Sequence, residues 1–70
     1  MDIRQLVFFL EVCKNGGIQR ASEKLHISPS GLRLALHRME DELETSLIRW
    51  GAKSFELTAN GEYFEEQAKS

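Results

Sequence analysis

The dipeptide Ser28-Pro29 is the clearest signal of a helix start in this sequence. Serine is a preferred N-cap, because its side-chain oxygen accepts a hydrogen bond from an otherwise unpaired amide of the first helical turn. Proline suits the first helical position, where the N–H that it lacks has no partner in any case. We therefore predict a helix from this point to about Leu43. The residues on its apolar face are Leu32, Leu36, Met39 and Leu43.

Two helices are predicted before that point. Asp2 and Gln5 have the spacing of a capping box, and the helix after them runs to about Lys14, where Asn15-Gly16-Gly17 ends it. Its main apolar stripe is Leu6, Phe9, Leu10 and Cys13. A short second helix covers about Gln19 to Leu25, and His26-Ile27 forms the turn that follows. Its inner side carries Ile18, Ala21 and Leu25.

A hairpin and a fourth helix are predicted after Leu43. Leu47–Trp50 and Ser54–Leu57 have the pattern of two short strands, joined by the glycine-containing loop Gly51-Ala52-Lys53. Thr58 caps the fourth helix. The apolar stripe of that helix is Tyr63, Phe64 and Ala68.

Length and composition restrict the class of protein. The 70 residues form at most one small domain with a marginal core, and the single cysteine, Cys13, excludes an intramolecular disulfide. The sequence contains neither the ligand spacing of a zinc site nor an apolar run long enough to cross a membrane. We expect a cytoplasmic protein with a reduced thiol, no cofactor and no membrane partner. No nucleophile–base–acid set is visible, so an enzyme is not expected.

Charge is distributed unevenly along the chain. Residues 1–40 hold six basic and four acidic side chains, whereas residues 41–70 hold three basic and seven acidic ones. The formal net charge of −2 argues against a protein that wraps nucleic acid by overall positive charge. The stretch from Ser28 to Arg38 lacks acids and contains two arginines and His37, which suits an anionic partner. The alternative explanation is that acidic residues are absent from this short stretch by the ordinary variation of surface charge.

The short second helix, the tight turn and the amphipathic third helix form a helix-turn-helix pattern, whose second helix can enter the DNA major groove. Opposite the apolar face, the third helix carries Ser30, Arg33, Leu34 and His37. Arg33 can pair with guanine or a phosphate, and Leu34 can contact a thymine methyl group. Arg38, on the flank, and the backbone amides after Ser28 suit phosphates. A solvated helix face is the alternative.

The whole chain resembles the N-terminal winged helix-turn-helix domain of LysR-type transcriptional regulators. The segments that carry the resemblance are Met1–Leu6, Phe8-Phe9, Ala21–Ser28, Leu32, Arg38–Leu43, Leu47-Ile48 and Leu57–Gly61. It implies a mainly α fold with three helices, a two-stranded β-hairpin wing and a C-terminal linker helix. It implies a DNA-binding domain over 1–57, with the helix-turn-helix at about 18–37 and the wing at about 47–57. The start of a dimerisation helix follows at 58–70.

The resemblance also implies sequence-specific binding of double-stranded DNA. The family's effector-binding domain is absent from these 70 residues, so a small-molecule effector is expected only if a longer parent chain exists. Lys53 matches a basic position of the wing. The chain departs from the family at Pro29, Arg33, Ala35, Trp50 and Glu56, so we expect a different operator sequence. The residues predicted to contact DNA are Ser28, Ser30, Arg33, Leu34, His37, Arg38 and Lys53.

A homodimer through the first and fourth helices is also expected. Phe8 and Val12 lie on the side of the first helix away from Leu6 and Phe9, and a helix that is apolar on two sides needs a second covering surface. The predicted interface comprises Phe8, Val12, Tyr63, Phe64 and Ala68. The alternative is that the fourth helix folds back on the first helix of its own chain.

A second function remains open at this point. The acidic balance and the altered reading positions also fit a winged helix that binds another protein and has little affinity for DNA. Salt separates the two functions, because phosphate-driven binding weakens steeply as salt rises. For Trp50, packing against the hairpin and the third helix is expected in preference to stacking on DNA.

Overall fold

The computed structural model describes residues 2–70, which form four helices. The helices are α1 (Ile3–Asn15), α2 (Ile18–Leu25), α3 (Pro29–Leu43) and α4 (Ala59–Lys69). All four were predicted from the sequence, and the mainly α class is confirmed. None of the helices in the described part of the chain has the length and apolar character needed to span a bilayer.

The predicted helix caps are present. The Asp2 side chain accepts a hydrogen bond from the Gln5 amide (2.8 Å), and the Gln5 side chain accepts one from the Asp2 amide (3.2 Å). Ser28 Oγ accepts from the Gly31 amide (3.0 Å), with Pro29 as the first helical residue. Gly16 ends α1 in the left-handed conformation (φ 75°). These contacts fix both ends of α1 and the start of α3.

The core lies where α1, α2 and α3 meet. Its fully covered side chains are Phe9, Val12, Ala21, Leu32, Leu36, Met39, Leu47 and Ile48. Val12 is 0% exposed, which corrects its prediction as part of a free second face of α1. Phe8 is half-buried and packs against the same core. The buried arc of α1 is wider than its sequence stripe because α2, α3 and α4 all contact this helix.

The segment between α3 and α4, here called the wing (residues 47–57), differs from its prediction. Residues 2–70 contain no regular strand, and the predicted two-stranded hairpin is reduced to one antiparallel bridge between Ile48 and Leu57. The Arg49 amide donates to the Glu56 carbonyl at 2.9 Å. The pairing stops there because the Arg49 carbonyl accepts from the Ala52 amide (3.3 Å), which closes a turn around Gly51 at φ 91°.

The fourth helix folds back on α1 of its own chain, which was the alternative arrangement considered from the sequence. The Phe64 ring packs edge-on against Phe9, with ring centroids 5.5 Å apart. Ala68 is half-buried, whereas Tyr63 remains 66% exposed. The predicted stripe of α4 is therefore divided, because the half-buried Phe64 packs against the core of its own protomer and Tyr63 does not.

Hydrogen bonds connect the start of α4 to residues 46 and 47, where the wing begins. Thr58 Oγ1 donates to the Ser46 carbonyl (2.6 Å) and accepts from the Gly61 amide (2.9 Å). The Thr58 amide donates to the Leu47 carbonyl (3.0 Å). Gly61 lies so close to this backbone that a Cβ atom would overlap the Leu47 carbonyl oxygen. This close approach holds the base of the wing against the first turn of α4.

Candidate nucleic-acid interface

The outward face of α3 presents the predicted residues together. Ser30, Arg33, Leu34 and Arg38 are all exposed, and Leu34 retains 51% of its accessible surface. Neither arginine forms an ion pair within residues 2–70. The Ser28 side chain is occupied as the cap of the helix. This face therefore combines unpaired cations, one exposed apolar side chain and a helix N-terminus.

A buried carboxylate that sequence reasoning missed joins α3 to the wing. Glu40 is 9% exposed, and its Oε2 accepts hydrogen bonds from the amides of Leu47 (2.7 Å) and Ile48 (3.0 Å). Its Oε1 accepts one from the Trp50 indole nitrogen (2.8 Å). The sequence contained one indication that Glu40 is buried, because it lies four residues after Leu36 and therefore beside the apolar stripe of α3.

The same carboxylate lies beside His37. The imidazole stacks on the Trp50 indole, with centroids 4.2 Å apart and planes inclined by 28°. His37 Nδ1 is 3.5 Å from Glu40 Oε1, and the side chain keeps 45% of its exposure. The expected packing of Trp50 against α3 is confirmed. His37 is thus half-covered by the wing and less available than Arg33 or Leu34.

A cleft of about 490 Å³ lies between the wing, the first turn of α2 and Arg33. Lys53, exposed at the tip of the wing, lines it together with Arg20 and Arg49. Arg49 Nε is also 4.0 Å from the Glu56 carboxylate, and both side chains are more than half exposed. The cleft adjoins the outward face of α3 through Arg33.

Other candidate residues lie apart from this face. Cys13 is half-buried, and burial, together with the neighbouring Glu65 carboxylate, raises the pKa of its thiol to about 12. His26 is exposed in the α2–α3 turn. Over residues 2–70 no three His, Cys, Asp or Glu side chains come together in a way that could hold a metal ion.

Large apolar side chains also remain exposed on α1 and α4. Ile3 and Val7, one turn apart on α1, keep 79% and 47% of their accessible surface. Tyr63 on α4 is exposed as well. Of the five residues predicted for a dimer interface, Tyr63 alone is fully available in the protomer.

Comparison with known proteins identifies relatives over almost the whole chain. HTH-type transcriptional regulator TfdT of Cupriavidus pinatubonensis is 35% identical over 69 residues, which is 99% of this chain and 30% of that protein. HTH-type transcriptional regulator BsdA of Bacillus subtilis is 39% identical over 70 residues, 99% of this chain and 24% of that protein. The chain thus spans less than a third of the length of these regulators.

Solved structures share the fold. The BenM DNA-binding domain in complex with catB site 1 DNA superimposes with a TM-score of 0.93 at 28% identity, covering 99% of this chain and 78% of that one. The CbnR DNA-binding domain in complex with DNA gives 0.90 at 32% identity, covering 99% and 79%. Residues 3–62 match the family described as bacterial regulatory helix-turn-helix protein, lysR family. The chain therefore belongs to the lysR family of bacterial regulatory helix-turn-helix proteins.

Proposed function

We propose that this chain is the sequence-specific, double-stranded DNA-binding domain of a LysR-type transcriptional regulator. The observation that carries the proposal is the outward face of α3, where Arg33 and Leu34 are exposed and no acidic side chain intervenes between Ser28 and Arg38. In a helix-turn-helix protein this helix enters the major groove. Related domains of the same fold have been solved bound to DNA.

Each residue of the face has a chemical role in this proposal. Arg33 makes a bidentate contact to guanine, and Leu34 contacts a thymine methyl group. Arg38 and the amides after Ser28 bind phosphates, Ser30 and His37 form polar contacts, and Lys53 neutralises the backbone beside the wing. These contacts combine base reading with sequence-independent attraction.

The domain organisation is part of the same proposal. Residues 1–57 form the DNA-binding unit, and α4 begins the linker helix of a homodimer. The dimer surface is revised to the exposed side of α1 and Tyr63, since Val12 and Phe64 are used inside the protomer. Two-fold symmetry then spaces two copies of α3 for two half-sites. The proposed location is the cytoplasm, and a small-molecule effector enters the proposal only if the domain belongs to a longer parent chain.

The test is selection of random-sequence duplexes at two salt concentrations. We expect a base motif to emerge, and affinity to fall steeply as salt rises because bound phosphates release counterions. The double variant Arg33→Ala/Arg38→Ala should lose the motif. The matched control Arg4→Ala/Lys24→Ala removes the same charge at exposed positions of α1 and α2 and should retain it. Binding that ignores salt, or no enrichment of any duplex, would reject DNA recognition in favour of a protein-interaction module.

A further inference from the structure

The cleft beside the wing contains charged residues that lie outside the outward face of α3 and have no role in the DNA contacts proposed for that face. It is formed by the α1–α2 turn, the first turn of α2, Arg33 and residues 48–55. Its floor is apolar, with Ile48 buried and Ile18 and Phe55 half-buried. A Cβ atom on Gly17 would lie 3.9 Å from the Phe55 Cβ, so the wing packs directly on the α1–α2 turn. The cleft is therefore part of the packed domain.

Positive charge is concentrated in this cleft. Four cationic side chains line it, and no acidic residue does; the four are Arg20, Arg33, Arg49 and Lys53. Within the described residues, Arg20, Arg33 and Lys53 form no ion pair. The contact of Arg49 with Glu56 is exposed and long, so solvent screens it and an incoming anion can replace it. In a chain with net charge −2, such clustering favours an anionic ligand.

The backbone at one wall adds to this field. α2 begins at Ile18, and its N-cap, Gly17, makes no side-chain hydrogen bond to the first turn. Ile18, Gln19 and Arg20 of that turn line the cleft, and the backbone amides at a helix N-terminus carry the positive end of the helix dipole. A tetrahedral anion can therefore be held between backbone donors on the α2 wall and cations on the wing wall.

We propose that this cleft binds one backbone phosphate of the DNA duplex through Arg20 and Arg49. The inference rests on the proposed function, because Arg33 borders both the cleft and the outward face of α3 and so brings a bound duplex alongside it. Arg20 and Arg49 thereby become DNA-binding residues. The contact is independent of sequence, and Glu56 competes with the phosphate for Arg49.

Binding to the selected duplex tests the assignment. Arg20→Ala and Arg49→Ala should each weaken binding about five- to ten-fold and equally for all base variants of the site, whereas Glu56→Gln should strengthen it. Arg4→Ala removes an exposed charge of the same kind on α1 and serves as control. A methylphosphonate scan of the duplex should find one phosphate whose neutralisation weakens the wild type but has no further effect on Arg20→Ala/Arg49→Ala.

Losses no larger than that of Arg4→Ala, or no such coupled phosphate, would overturn the cleft assignment and leave the proposed function intact. Titration with inorganic phosphate against chloride at equal ionic strength gives a second readout without DNA. The amides of Ile18, Gln19 and Gly51 should shift in the wild type and stay unchanged in Arg20→Ala/Arg49→Ala. A shift at these amides in a protein that binds no duplex would instead reject the DNA function, and with it the assignment of the ligand to DNA.

Discussion

In the proposed function, Arg33 is the side chain on which base recognition most depends. It is exposed, unpaired within the described residues and placed on the face opposite the buried stripe of α3. Arg33→Ala should weaken binding by about 1–3 kcal/mol and relax preference at one base position, as measured by competition among single-base variants. Arg33→Lys keeps the charge but loses the planar fork, so it should lose the preference while keeping the salt slope. A uniform loss across all sequences would assign Arg33 to a phosphate.

Cys13 gives the domain a pH dependence in the alkaline range. Its thiol ionises near the ordinary pKa of 9.0 in the unfolded chain but near 12 in the native one, chiefly because of burial. The stability that follows is complete below pH 9 and is lost as pH rises from 9 towards 12. Urea unfolding should therefore show a steeper decline over this range for the wild type than for Cys13→Ala. Parallel curves would contradict the raised pKa.

Individual side chains were predictable where their role is local. The outward positions of Arg33 and Leu34 follow from helical periodicity, because both lie opposite the buried stripe. Glu40 was not predictable in the same way. An acid in a helix is normally solvated, and the donors that make its burial favourable come from Leu47, Ile48 and Trp50, which the sequence alone does not bring near it.

At the scale of elements, the Glu40 carboxylate holds the wing to α3. Glu40→Ala leaves the amides of Leu47 and Ile48 and the Trp50 indole without their acceptor, and should lower the free energy of unfolding by about 2–4 kcal/mol. Glu40→Gln keeps the shape but presents an NH₂ group to donors and should lose somewhat less. Thermal and urea unfolding measure both. Glu23→Ala, an exposed acid on α2, should change little, and equal effects of the two alanine variants would contradict the role of Glu40.

The junction of α4 with the wing depends on Gly61. Any side chain there would overlap the Leu47 carbonyl group, and the backbone on both sides is fixed by hydrogen bonds of Thr58. Gly61→Ala should therefore destabilise the domain by about 1–3 kcal/mol, although alanine favours helices. Circular dichroism melting of this variant beside Glu62→Ala, an exposed neighbour in the same turn, isolates the steric effect. A Gly61→Ala protein as stable as the wild type would show that α4 shifts freely.

Helices were more predictable than the wing because their ends are coded locally. Ser28-Pro29, Thr58 and the Asp2–Gln5 pair each lie within a few residues of the amides that they cap. The wing was predicted as two strands from alternation of residue types. In the structure, the Arg49 carbonyl accepts a hydrogen bond within a turn, and strand pairing ends after one bridge. The alternation of residue types does not reveal that the turn competes with strand pairing for this carbonyl.

At the scale of the whole molecule, the exposed apolar side of α1 and Tyr63 are the surface proposed for the dimer. Tyr63→Glu should convert a weak dimer into a monomer in sedimentation equilibrium without loss of helicity, because this side chain is 66% exposed in the protomer. Leu34→Glu places the same charge at an exposed apolar residue on α3 and should leave association unchanged. Phe64→Glu is unsuitable, since its ring packs on Phe9 inside the protomer. A wild type that remains monomeric at high concentration would reject the dimer.

The shape of the wing also affects how the domain can diversify. Its base is held by the Glu40 carboxylate, the single bridge between Ile48 and Leu57 and the junction with α4. Residues 52–54 take no part in strand pairing and are exposed, so their sequence can change at small thermodynamic cost as long as Gly51 keeps its left-handed conformation. The loop can therefore be exchanged as a unit between related proteins. In the proposed function, such exchanges would alter the contacts between the wing and the duplex backbone while the folding of the domain and the geometry of α3 stay the same.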